Sequence, residues 1–207
     1  MRDASRSLIM PNEEELPSTA AAADANATSA QSDVAGTGSP KAVAVTLDRL
    51  IQVERVTASE PYIGDLFRRR FGSDPPNYGQ HHVALYKAAR ASFIAIGFVH
   101  YTVFDDNCLC GGMLADDRAY RRMPVAHQAM IRDAGGIVAI MLRETFARYA
   151  DMPAVWAHVG DPAVREICLR AGFLPTSDRY VMVKWNGERS EPDKAAHLAR
   201  VIALGPF

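Results

Sequence analysis

The chain has no apolar run approaching the ~20 residues that span a bilayer; its longest, around Phe93 to Val99, is of strand length. Length therefore excludes a membrane-spanning segment. Charge of one sign is equally scarce, since 23 Lys and Arg against 24 Asp and Glu leave a formal charge of −1 over 207 residues. That balance gives no global attraction to nucleic acid or to an anionic membrane, and neither partner is expected. Cysteine is sparse, and three is an odd number, so a reducing compartment, the cytoplasm, fits better than a disulfide scaffold. A secretory leader is not expected, because Leu8-Ile9-Met10 is cut short by Pro11 and by Glu13-Glu14-Glu15.

Aromatic residues are missing before about Lys41, and Pro17 to Pro40 is mostly Ala, Ser, Thr, Asp and Gly. Such a segment buries too little apolar surface to offset roughly 1–2 kcal/mol of backbone entropy per residue. Residues 1–42 are expected to be a disordered tail, 43–187 the folded domain and 188–207 a helical extension.

Within the domain the periodicities are legible. Gln52 to Thr57 alternates as a strand, and Pro61 opens an amphipathic helix through Ile63, Leu66 and Phe67 that Gly72 closes. His82 to Ala88 and Ser92 to Phe104 read as strands joined by a turn around Arg90; Asp105-Asp106-Asn107 then turns into a strand from Cys108 to Ala115. Gly135-Gly136 precedes a helix to Tyr149, followed by a strand from Ala154 to Val159. Asp161-Pro162 caps a helix with Val164, Ile167, Cys168 and Ala171 on one face, ending at Gly172. Tyr180 to Trp185 is the last strand, and Asp193 to Leu204 a weakly amphipathic helix. This is a mixed α/β order that must combine hairpins with crossovers.

The order, together with the segment Asp161-Pro-Ala-Val-Arg-Glu-Ile-Cys-Leu-Arg-Ala-Gly172-Phe173, resembles the GCN5-related N-acetyltransferase superfamily (GNAT). Asp161 stands where that family has Asn, Cys168 where it has Tyr, and Gly172-Phe173 match outright. The resemblance covers roughly Leu50 to Trp185. It implies a mixed sheet with helices on both faces and a V-shaped cleft between two splayed strands, here Cys108 to Ala115 and Ala154 to Val159. Acetyl-CoA or another acyl-CoA would lie in that cleft as acyl donor, against Met113, Leu114 and Ala115 and near Asp161. Its pyrophosphate would meet a glycine turn at a helix amino end. The turn here is Arg132-Asp133-Ala134-Gly135-Gly136-Ile137: Arg132 and Gly135 match the family, while Ile137 stands where a small residue is usual and is expected to hinder a phosphate. Residues 116–131 form an insertion that carries Arg118, Arg121 and Arg122, and its stretch Pro124 to Met130 could add a helical turn over the cleft.

Acyl transfer to an amine needs a base and an acid for the departing thiolate. His158, at the end of a cleft strand, is the first candidate for the base. Asp116 and Asp117 are alternatives, and His100 and Tyr101 could line the acceptor side. Cys168 is the candidate at the family's Tyr position, against its reading as a small core residue. Cys108 and Cys110 lack metal-ligand spacing, so no metal is expected. Arg68-Arg69-Arg70 reads as a charged helix end. Two functions stay open: an acyl-CoA-dependent N-acyltransferase acting on an amine of a small molecule or protein, and a non-catalytic acyl-CoA-binding or regulatory module of the same fold. A homodimer is left open.

Overall fold

A computed structural model describes residues 45–89 and 92–207. The expected tail and the turn at Arg90 lie outside the described residues. A seven-stranded sheet runs in the order β1-β2-β3-β4-β5-β7-β6. Its strands are β1 (Ile51–Val56), β2 (Gln80–Ala89), β3 (Ser92–Phe104), β4 (Asn107–Ala115), β5 (Ala154–His158), β6 (Leu174–Pro175) and β7 (Val181–Trp185). β1 to β4 are antiparallel neighbours, β2–β3 and β3–β4 through short connections and β1–β2 across the helix between them; β4 and β5 are parallel, joined by a crossover; β7 returns antiparallel to β5. The architecture is the α/β mixed sheet read from the sequence.

The helices are α1 (Leu47–Leu50), α2 (Glu60–Phe71), α3 (Asp117–Arg121), α4 (Val125–Asp133), α5 (Ile137–Arg148), α6 (Pro162–Arg170) and α7 (Glu191–Ala203). They divide over the two sheet faces. Ile140, Met141 and Leu142 of α5 and Cys168 of α6 pack with Val99, Tyr101, Cys108, Cys110, Val155 and Ala157. On the opposite face α2 sets Ile63 and Phe67 against Val83, Phe98 and Leu114, and α7 sets Val201 against Leu109, Trp156 and Val183. Alternation decides which side chain goes where, because neighbours along a strand point to opposite faces. α5 lies close to the sheet over Gly97, where a Cβ would sit 2.8 Å from both Ile137 Cγ2 and Met141 Sδ.

Capping explains the boundaries. Asp161 Oδ1 accepts from the amides of Ala163 (2.7 Å) and Val164 (3.4 Å), with Pro162 at the first helical position. Ser190 caps α7 through the amide of Asp193, so that helix starts at Glu191, ahead of the expected Asp193. α7 docks through a buried polar group as well as apolar ones: Asn107 Oδ1 accepts from Trp156 Nε1 (2.8 Å) and meets His197 Nδ1 at 3.0 Å.

The insertion folds differently from the expected single turn over the cleft. Asp116 caps α3 through the amides of Arg118 and Ala119, and α4 then runs a full nine residues. His127 of α4 meets the Tyr86 hydroxyl of β2 at 2.8 Å, and α4 also packs against α1 and α5. The insertion therefore covers the β1–β3 side of the α5 face, because Tyr86 offers a buried aromatic partner there. Arg118, Arg121 and Arg122 are exposed on it.

Candidate active site

β4 and β5 pair only from Asn107↔Ala154 to Cys110↔Ala157. Beyond that pair β4 continues for five residues to Ala115, while β5 ends at His158 and the Val159 amide bonds to Tyr180 O instead (2.8 Å). The strands splay, and from Gly111 onward β4 has no partner strand on its β5 side. Met113 and Ala115 point toward the α5 face and Leu114 toward α2. Gly112 is exposed, with open space where a Cβ would stand.

α5 begins at the open end of this V. Ile137 sits against Gly97, and Gly97 pairs with Ala115, the last residue of β4. The glycine turn is spent differently from the expectation. The Gly135 amide bonds to Arg132 O and the Gly136 amide to Ile131 O, each 2.8 Å, so both cap the end of α4. Their φ values of +89° and +91° explain why glycine stands at both positions. The first bond of α5 runs from Ile140 to Gly136 O. The amides of Ile137, Val138 and Ala139 therefore remain for an anion. Ile137 is no obstacle, because its side chain is buried against the sheet. Gly136 has open space on its Cβ side, and Arg143 Nη1 lies 3.9 Å from where a Cβ on Gly135 would be. Arg143 escaped the sequence reading because it lies a turn and a half into the helix; only the helical period brings it back. Arg132 is exposed beside the same turn.

His158 and Cys168 fall on opposite faces. His158 points away from α5, its ring 5.5 Å from that of Tyr180 and 6.1 Å from that of Phe207, and is partly exposed. Cys168 is wholly buried on the α5 face near Cys110, and burial pushes its thiol up to about 11. The structure does not bring the two candidates together. Asp161 is occupied as the α6 cap. Asp116, besides capping α3, lines a cavity of about 290 Å³ between α2 and the ends of β3 and β4, with Tyr62, Arg68 and Ala95. Arg68 there is held by Glu60, Asp65 and Asp74 at 2.7–2.8 Å, a charged helix end as read.

Two histidines lie buried on the α2 face beside β4. His100 of β3 stacks on His81 of β2, ring centres 5.7 Å apart, with Tyr78 edge-on at 5.2 Å. Burial lowers the His100 pKa to about 4 and also lowers that of His81, whose Nδ1 is buried without a partner. His100 and His158 thus share the sheet face opposite α5, one on each side of β4. Tyr101, by parity, points into the core, where its hydroxyl meets Thr145 Oγ1 at 2.6 Å. Among the described residues no group of His, Cys, Asp and Glu could hold a metal ion, and no helix is long and apolar enough to cross a membrane.

No family model and no curated protein matches the sequence. Solved structures do. The chain is similar to the ribosomal-protein-S18-alanine N-acetyltransferase from Escherichia coli, with 12% identity, 69% of this chain and 97% of that chain covered, and a TM-score of 0.48. It is similar to an acetyltransferase of the GNAT family from Staphylococcus aureus Mu50 (13% identity, 66% and 99% covered, TM-score 0.39). A third likeness is to AtaTR bound with acetyl-CoA (8% identity, 72% and 98% covered, TM-score 0.40).

Proposed function

We propose that the protein is an acyl-CoA-dependent N-acyltransferase of the GCN5-related fold, transferring an acetyl group to an amine of a small molecule or protein. One observation carries the reading: β4 and β5 part at Cys110 and Ala157, and three unspent amides of α5 stand at the open end of the gap. A splayed edge can accept an extended chain as a sheet accepts a further strand, and a helix amino end accepts a phosphate. The residues present fit such a donor, since Gly112 and Gly136 leave open the space that a side chain would fill.

When bound, acyl-CoA supplies a thioester, a carbonyl carbon activated toward an amine. The amides of Ile137, Val138 and Ala139, with Arg143 and Arg132 beside them, would hold its pyrophosphate; the backbone of Gly112 to Ala115 would hold its pantetheine arm. His158, partly exposed at the end of β5, would accept the proton that the amine loses, directly or through water. Tyr180 and Phe207 flank its ring and would limit where the amine can approach. Cys168 is not assigned as the acid: burial raises its thiol to about 11, which makes it a weak proton donor, and it lies on the face away from His158. The proton taken from nitrogen would instead reach the departing sulfur through water.

The test is calorimetric titration of the full chain with acetyl-CoA and longer acyl-CoAs, followed by an assay of CoA release with a panel of amines. Binding with amine-dependent release supports the enzyme. Binding without release supports the non-catalytic module, which the missing phenol at Cys168 favours. Absence of binding overturns both.

A further inference from the structure

β4 carries two consecutive glycines, Gly111 and Gly112, where β3 offers the single residue His100: pairing passes from Val99↔Met113 to Tyr101↔Cys110. Two residues opposite one form a β-bulge, which bends its strand and interrupts the ladder. The bulge falls directly after Cys110↔Ala157, the last pair between β4 and β5. It is therefore where the cleft opens.

The His100 ring fills the space beside it. A Cβ on Gly111 would lie 2.5 Å from His100 Nδ1 and 3.0 Å from Cε1, so no side chain fits there while the imidazole keeps its place. On its other edge the ring meets Gly79, where a Cβ would lie 2.7 Å from Nε2. Gly79 is also at φ +77°, a conformation glycine adopts freely. His81 stacks on the ring, Tyr78 closes it edge-on, and Thr102 Oγ1 reaches Nε2 at 3.3 Å. Only 5% of the residue is exposed.

We propose that His100 is a positioning residue: wedged between Gly79 and Gly111, it holds the β4 bulge and thereby keeps open the strand edge along which an acyl-CoA would lie. The inference rests on the acyltransferase reading above. His100 does not touch the reacting atoms; it acts through the backbone of Gly111 and Gly112. Without the wedge, β4 is free to straighten and continue its parallel ladder with β5 past Ala157, which narrows the V. Glutamine has a similar reach and keeps a polar end for Thr102, so it fills the wedge where alanine does not.

The experiment uses the full chain and four variants: His100→Ala, His100→Gln, Gly111→Ala, and His100→Ala combined with Gly111→Ala. Acetyl-CoA affinity is read by calorimetry, with the melting temperature as the control of fold. His100→Ala is expected to weaken acetyl-CoA at least tenfold and His100→Gln to recover most of the loss. Gly111→Ala, which displaces the ring, should weaken binding similarly, and the double variant should be no worse than His100→Ala alone. Lowered melting temperatures with unchanged affinity in His100→Ala and Gly111→Ala overturn the proposal, since the ring is then only core. Loss of fold in both His100→Ala and His100→Gln overturns it for the same reason. A wild-type chain that binds no acetyl-CoA overturns the acyltransferase reading and this inference with it, whereas wild-type binding matched by His100→Ala overturns this inference alone.

Discussion

The Tyr101 hydroxyl and Thr145 Oγ1 lie 2.6 Å apart in the core and tie β3 to α5. Thr145 Oγ1 also reaches the carbonyls of Met141 (2.8 Å) and Leu142 (3.1 Å), which can only accept. Thr145 therefore spends its hydrogen within the helix, and Tyr101 donates. The two partners are unequal as a result. Tyr101→Phe leaves Thr145 bonded to its helix and should cost about 1 kcal/mol, whereas Thr145→Val deprives a buried phenol of its oxygen acceptor and should cost about 2 kcal/mol. Urea unfolding of the two variants checks the order.

Acid should unfold the protein through its buried histidines. His82 is fully buried with both ring nitrogens unpartnered, and burial, reinforced by Arg148 and Arg55, lowers its pKa from 6.5 to about 4. Between those values the unfolded chain binds the proton and the folded chain does not, so stability falls as pH drops through that window and is flat above it for this group. The loss is on the order of 3 kcal/mol for a shift of this size. His82→Leu should flatten the pH dependence of the unfolding midpoint between pH 6.5 and 4; an unchanged slope would assign the acid sensitivity to His100 and other groups.

Anion binding at α5 should be sensitive to Gly136. An aspartate there sets like charge against a phosphate and strains a residue at φ +91°. Gly136→Asp should weaken acetyl-CoA at least tenfold. Arg143→Ala should cost several-fold and lose its effect as salt is raised, because the guanidinium is exposed. Calorimetry at two ionic strengths separates the two contributions.

His158→Ala should lower the rate of acyl transfer about a hundredfold, the range of a lost general base, with acetyl-CoA affinity within twofold of wild type. Parallel measurement of kcat and Kd checks it. A comparable loss in affinity would mean that His158 supports the cleft and not the amine.

Cys168→Ser should leave any transferase activity within about tenfold, since the buried thiol, at about 11, supplies neither acid nor nucleophile. Mass spectrometry after mixing wild type with acetyl-CoA should show no acylated Cys168. A larger loss at unchanged affinity, or a trapped acyl adduct, would make Cys168 catalytic.

The sequence by itself determined the elements whose signals are local. Pro61 and Gly72 bound α2, Asp161-Pro162 starts α6, and the turn at Asp105-Asp106-Asn107 and the short apolar runs of Cys108 to Ala115 and of Ala154 to Val159 mark the two strands that part. A cap or a period is written within a few residues, so it survives without knowledge of the rest of the chain. Tertiary structure decided what depends on register and parity. Adjacent His81 and His82 point to opposite faces, and nothing in their own spacing says which. His158 faces Tyr180 and Phe207 while Cys168 faces Cys110, because β5 and α6 are docked by contacts with residues far away in sequence. The insertion looked like a cover for the cleft, but Tyr86 on β2 drew α4 elsewhere. Gly135 and Gly136 looked like a phosphate turn, yet their amides close α4, so the proposed anion site moves to the amides that follow. The doubled glycine at 111 and 112 was a visible mark of a bulge; that His100 occupies it follows only once β2, β3 and β4 lie side by side.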